Sequence, residues 1–197
     1  MTTFYLLRHG DKEFMPGNPP LNSAGVKQAE KTAKYLQSQN IKAIYASHLK
    51  RVQQTAQIIS KVLSLPISTD KRLIERLNWG DKIEQTFEEF NAEWRKTDKD
   101  RNYKPIAGNS SVETGNNLKY FLDEMAQKHD IQNILVVTSG GTIGDFLRNV
   151  FKEEDLSFAI NKKTGAKYIE ILCCSITVVE KGSDVYRLKT VNSLSHL

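Results

Sequence analysis

An arginine, a histidine and a glycine stand together at Arg8, His9 and Gly10, directly after the apolar run at residues 3–7. A neutral imidazole is a competent nucleophile toward phosphorus, and a guanidinium can grip a phosphoryl group through two parallel N–H bonds. The glycine would let a ligand come close to the backbone. The same tripeptide would also suit a solvated sheet edge, and taken alone it leaves both readings open. The chemical reading requires His9 to sit at the carboxyl end of a buried strand, where open α/β sheets hold their ligands.

The surrounding pattern supplies such elements. Residues 3–7 read as a buried strand, and after the turn-rich stretch Pro16, Gly17, Asn18, Pro19 and Pro20, Ser23 can cap a helix with Val26, Ala29, Ala33 and Leu36 on its apolar face. Residues 41–46 form a second strand, and Leu49, Val52, Ala56, Ile59 and Leu63 mark a second helix with Ser47 at the expected cap. Val112, Leu118, Phe121, Leu122 and Met125 trace another helix face, residues 134–137 another buried strand, and Ile143, Phe146, Leu147 and Val150 the helix after it. Residues 168–179 and 185–191 read as two strands joined by a turn at 181–184. The stretch from 80 to 107 is more polar and reads as an excursion from the sheet, with Phe87, Phe90 and Trp94 at helical spacing and a charged segment at 97–104 without a core pattern. Its aromatic face and basic end suit a lid or rim over the site, or a staple onto the sheet. The expected fold is a three-layer α/β/α sandwich with a mostly parallel central sheet and an antiparallel C-terminal strand.

Composition narrows the class. The chain has 197 residues, 39% of them hydrophobic, which suits one continuous core and a single domain over residues 1–197. No stretch approaches the roughly eighteen apolar residues that cross a bilayer, and Arg8 interrupts the start before a signal-peptide core develops. A soluble, cytoplasmic protein without membrane contact is expected. Its two cysteines, Cys173 and Cys174, are neighbours in an apolar run, which disfavours a disulfide or a metal site and leaves packing as their role. The formal charge of +5 suits anionic partners, but Lys and Arg alternate with Asp and Glu along the chain, which argues against nucleic-acid binding.

Several ordered blocks resemble the histidine phosphatase superfamily, the phosphoglycerate mutase-like group. LLRHG at 6–10 resembles its signature, PLNSAGVKQA at 20–29 its first helix, SHLKRVQQTA at 47–56 its second block and RLIERLNWG at 72–80 its third; the last 23 residues, from Ser175, resemble its closing hairpin and tail. The resemblance implies that His9 attacks phosphorus and becomes phosphohistidine. It implies that Arg8, Gly10 and Arg51 hold the phosphate together with Ser139 and Gly140, and that Glu75 passes the proton to the leaving alkoxide and takes one from water. No metal or other cofactor is implied, since two arginines and helix-start N–H groups can stabilise the transferring group. Glu75 could otherwise be a surface carboxylate paired with Arg72 or Arg76.

This chain departs from that pattern in one place that bears on rate. Where the family carries a second histidine facing the first, VVTSGGTI has Ser139. Losing a charged donor there would cost about 3 kcal/mol of transition-state stabilisation, on the order of a hundredfold in rate. Met15 stands where an asparagine is frequent, and GNSS at 108–111 replaces a GES-type turn. None of the other histidines substitutes: His48 lies beside the matched serine, and His129 and His196 are expected in solvent at a helix end and in the tail. The expected function is metal-independent hydrolysis of phosphomonoesters of small anionic substrates, with a small phosphorylated molecule as partner and activity reduced by Ser139. The alternative is a weakly active or non-catalytic phosphate-ligand binding or regulatory protein on the same fold. A mutase is disfavoured by the short chain, and the oligomeric state is not legible.

Overall fold

The computed structural model describes residues 1–128, 132–156, 160–161, 168–183 and 185–197. Its centre is a six-stranded sheet in the order β3-β2-β4-β1-β7-β8, built from β1 (Thr2–Arg8), β2 (Ile41–Ala46), β3 (Ile67–Thr69), β4 (Asn133–Thr138), β7 (Ile176–Lys181) and β8 (Tyr186–Ser193). β1, β2, β3 and β4 pair in parallel, while β7 runs antiparallel to both β1 and β8. A two-stranded antiparallel pair, β5 (Ile160–Asn161) and β6 (Tyr168–Ile169), stands apart.

The central strands are apolar without interruption because both faces are covered. Phe4 and Leu6 of β1, with Ile134 and Val136 of β4, enter the core under α4 (Ser111–Lys128) and α5 (Gly140–Val150). Tyr5, Leu7, Leu135 and Val137 point the other way, under α1 (Ser23–Leu36) and α2 (Lys50–Leu63). This alternation makes three layers, as the sequence pattern predicts. Two further helices, α3 (Phe87–Lys99) and α6 (Glu153–Leu156), lie outside the alternation of strand and helix.

Local chemistry departs from expectation at several points. Asn22 rather than Ser23 caps α1, its side chain accepting from the Gly25 N–H at 2.8 Å. Ser47 caps nothing: Leu49 is the N-cap of α2, and the Ser47 hydroxyl is buried without a partner. The C-terminal strand starts at Ile176 rather than near Tyr168, because Cys173 and Cys174 form a turn in which Cys174 adopts φ 53°. The joining turn predicted at 181–184 includes Asp184, outside the described residues. Among the described residues no helix is long and apolar enough to cross a membrane.

Candidate active site

Register brings the site together. Arg8 is the β-partner of Thr138 on the adjacent parallel strand, and the His9 N–H donates to the Thr138 carbonyl at 3.0 Å. His9 and Ser139 are therefore the next residues beyond two neighbouring strand ends. Gly10 follows in a tight approach to α1: a Cβ added there would lie 2.5 Å from the Gly25 carbonyl oxygen. Its N–H donates to the Thr55 hydroxyl at 3.1 Å, so this amide serves the packing of α2.

His9 is 3% exposed, and its ring is held at both nitrogens. Nδ1 lies 2.7 Å from the Gly10 carbonyl oxygen, which can only accept, so Nδ1 carries the proton. Nε2 is left as the acceptor of Arg51 Nε–H at 3.1 Å. Burial first, then the charges of Arg51 and Arg8, push the His9 pKa well below 6.5. The imidazole is neutral at pH 7, with its lone pair on Nε2.

Arg51 occupies the first turn of α2 and is also buried; its Nη2 donates to Asn78 Oδ1 at 3.2 Å, while Nη1 has no partner. Asn78 is fixed in turn by donating to the Gly17 carbonyl at 2.6 Å. Arg8 donates through Nη1 to the Ile171 carbonyl and keeps a buried, unpartnered Nε. Arg8, His9, Arg51 and Glu75 line one cavity of about 390 Å³, joined by Lys12, Asn78, Trp79 and Cys173.

Glu75 is positioned by what grips its neighbours. The Thr138 and Thr142 hydroxyls donate to the carbonyls of Leu73 and Ile74 at 2.6 and 3.1 Å, tying this segment to β4 and α5. Arg76 donates to both oxygens of Asp145 at 2.8 and 3.0 Å and to Asp98, while its guanidinium lies 4.0 Å from the Trp94 ring centroid. Arg72 holds Asp70 and Glu124, so both neighbouring arginines are committed to other carboxylates. Glu75 Oε1 is buried with no hydrogen-bond partner, and burial raises its pKa above 4.5 against the opposing charges of Arg76 and Arg51. Gly141 makes room for it: a Cβ there would fall 2.3 Å from Glu75 Oε1 and 2.8 Å from the Trp94 ring.

Ser139 is fully buried, is the N-cap residue of α5, and neither caps the helix nor finds another partner for its hydroxyl. It lines neither the first cavity nor a second one of about 190 Å³, where Gly140 and Gly141 meet Arg8, Glu75, Arg76 and Trp94. Gly140 starts α5 beside Arg8, whose Cδ would be 3.2 Å from an added Cβ. Among the described residues no group of three or more His, Cys, Asp or Glu side chains is placed to hold a metal ion.

The family model for the histidine phosphatase superfamily (branch 1) matches residues 4–193. The chain belongs to this superfamily. It is 29% identical to phosphoserine phosphatase 1 of Hydrogenobacter thermophilus over 149 residues, 70% of this chain and 71% of the relative. It is 31% identical to a protein of Yersinia enterocolitica named probable phosphoglycerate mutase GpmB over 159 residues, 75% and 74% of the two chains. The fold matches that of a phosphoserine phosphatase of Entamoeba histolytica, solved with 3-phosphoglyceric acid, at a TM-score of 0.75 and 20% identity, covering 100% of this chain and 99% of the other.

Sequence reasoning missed several residues of this superfamily member's site. Asn78 orients Arg51, Lys12 and Cys173 line the cavity, and Asp98, in the segment read as lacking a core pattern, is 6% exposed against Arg76. Asp145 gave a faint signal, since Gly141, Asp145 and Arg148 share one α-helical stripe on α5. His48 is exposed, whereas His196 is half-buried, stacked 5.1 Å from Tyr35 with Nε2 donating to the Cys174 carbonyl at 3.1 Å. The tail histidine is thus a packing residue rather than a solvated one. His129 lies outside the described residues. Phe87, Phe90 and Trp94 line the cavity, while Arg101 donates to Asn149 and Lys104 pairs with Glu113, away from it.

Proposed function

We propose that this chain is a metal-independent phosphatase that hydrolyses phosphomonoesters of small anionic substrates through a phosphohistidine at His9. The observation that carries the reading is a neutral, buried His9 with Nε2 as its lone-pair nitrogen, beside unpartnered buried donors at Arg8 Nε and Arg51 Nη1. Buried polar groups are rarely left unpaired, and a phosphoryl dianion would satisfy both arginines at once. As the phosphate draws Arg51 to itself, Nε2 is released to attack phosphorus and the P–O bond to the alcohol breaks. Glu75, with its pKa raised by burial, donates its proton to the departing alkoxide and then accepts one from the water that cleaves the P–N bond. Gly140 at the start of α5 adds the positive end of a helix dipole.

Ser139 stands in the place of the family's second histidine in this reading, and it supplies no positive charge, so turnover is lower than an imidazolium would give. The chain acts as one domain over residues 1–197, in the cytoplasm, with the stretch at 80–107 as a lid whose α3 face closes one side of the cavity. Two free cysteines suit a reducing compartment. Ser139 also favours a second reading, a phosphate-ligand binding protein with little or no turnover. The test is phosphate release from a panel of phosphomonoesters by wild type, His9→Ala and Arg51→Ala. The hydrolase reading expects release by wild type alone; wild type equal to His9→Ala, with phosphate still bound, establishes the binder.

A further inference from the structure

Beyond the phosphate, the cavity's outer wall is made of aromatic rings. Phe14, Trp79 and Phe87 meet pairwise with centroids 4.8 to 5.1 Å apart, Phe90 lies 6.2 Å from Phe87, and Trp94 lies 5.8 Å from Phe90. All five line the cavity that holds His9. The row runs from Phe14, 71% exposed at the mouth, to Trp94, which packs over Arg76 behind Glu75. A cluster that only fastened α3 to the body would bury its rings, yet none of these five is buried. The cations of the cavity, Arg8, Lys12 and Arg51, belong to the end of β1, the loop after it and the start of α2, while α3 contributes only Phe87, Phe90, Asn91 and Trp94. A second anionic group on the alcohol would meet no cation along that wall.

We infer that the preferred substrates are phosphomonoesters whose alcohol carries a flat aromatic group, held against the Phe14, Trp79, Phe87 and Phe90 rings while His9 and the arginines hold the phosphate. This rests on the phosphate site assigned above and adds the class of leaving group. A cavity of about 390 Å³ accommodates a phosphoryl group and a fused two-ring system, and edge or offset contacts with such rings supply the selectivity.

Because aryl esters react faster with any catalyst, the test uses non-hydrolysable ligands and matched alkoxides. Calorimetry compares naphthylpropyl phosphonate with propyl phosphonate on the full chain, for wild type and for Phe87→Ala and Phe90→Ala. Wild type should bind the naphthyl ligand at least about tenfold tighter, and each variant should narrow that ratio several-fold. Equal affinities in wild type, or a ratio unchanged in both variants, overturn the inference. The kcat/KM values of naphthylethyl phosphate and propyl phosphate are read in parallel. A binding preference without turnover of either ester supports the aromatic site while removing the hydrolase reading, and turnover without preference does the reverse.

Discussion

Arg76 holds together a buried charge cluster beside Glu75, and its replacement by methionine has a calculable consequence. The side chains of Arg76, Asp98 and Asp145 are 3%, 6% and 2% exposed, and the single guanidinium holds both carboxylates. Removing it leaves two carboxylates buried without their cation, which costs about 3–5 kcal/mol, against the ~1 kcal/mol or less of an exposed pair. For a chain of this size that lowers Tm by roughly 6–20 °C. The loss has a defined pH dependence. Burial already raises the Asp145 pKa above 3.8, and Arg76 is the largest opposing influence. Without Arg76 it rises further, so the folded variant retains a proton that the unfolded chain releases. The deficit is then largest above that raised value and shrinks as pH falls through it toward the ordinary carboxylate range. Urea unfolding of wild type and Arg76→Met, at neutral pH and in mild acid, measures both. A loss under ~1 kcal/mol, or one that grows toward acid, would refute the account of this cluster.

Further outcomes follow from the site. The kcat/KM profile for an alkyl phosphate should be bell-shaped, its acid limb below 6.5 because His9 must be neutral and its alkaline limb above 4.5 because Glu75 must be protonated. Glu75→Gln should remove the alkaline limb and lower kcat/KM for alkyl phosphates by about a hundredfold while sparing kcat/KM for aryl phosphates, whose leaving groups need no proton; equal losses in kcat/KM on both classes would remove Glu75 from protonating the leaving group. Ser139→His should raise the initial rate by up to about a hundredfold, and a fall accompanied by weaker phosphate inhibition would mean that the buried site is shaped around serine. Gly141→Ala should lower kcat as the new methyl, pressed against the Glu75 carboxylate and the Trp94 ring, displaces both, and should lower unfolding stability by about 1–3 kcal/mol through overpacking; an unchanged kcat would place that carboxylate outside the reaction.

The fold was legible where burial is two-sided. Unbroken apolar runs around Phe4 to Leu7 and Ile134 to Val137, each followed by a glycine-containing polar stretch and a helical period, can form little except covered parallel strands feeding helices. The strand-end position of His9 followed from the same pattern. Less was legible where tertiary partners decide. β3 has three residues, and its pairing with β2 leaves no periodic trace. Asp98 looks like a surface charge until Arg76 arrives from a distant segment, and Asn78 acquires its place only through Arg51. Asn22 and Ser23 are both good caps, and the choice is made by Asp11, which accepts from the Asn22 side chain at 2.8 Å and its backbone N–H at 3.1 Å.

The central claim is that His9 Nε2 forms a bond to phosphorus. Wild type and His9→Ala would be mixed with an aryl phosphate, quenched within the first turnovers into denaturing base, digested and mapped by mass spectrometry. The account predicts one phosphoryl group on the peptide containing His9, stable in base, lost in acid and absent from His9→Ala. Steady phosphate release with that peptide unmodified at every time point, or with the phosphoryl group on any other residue, would contradict it.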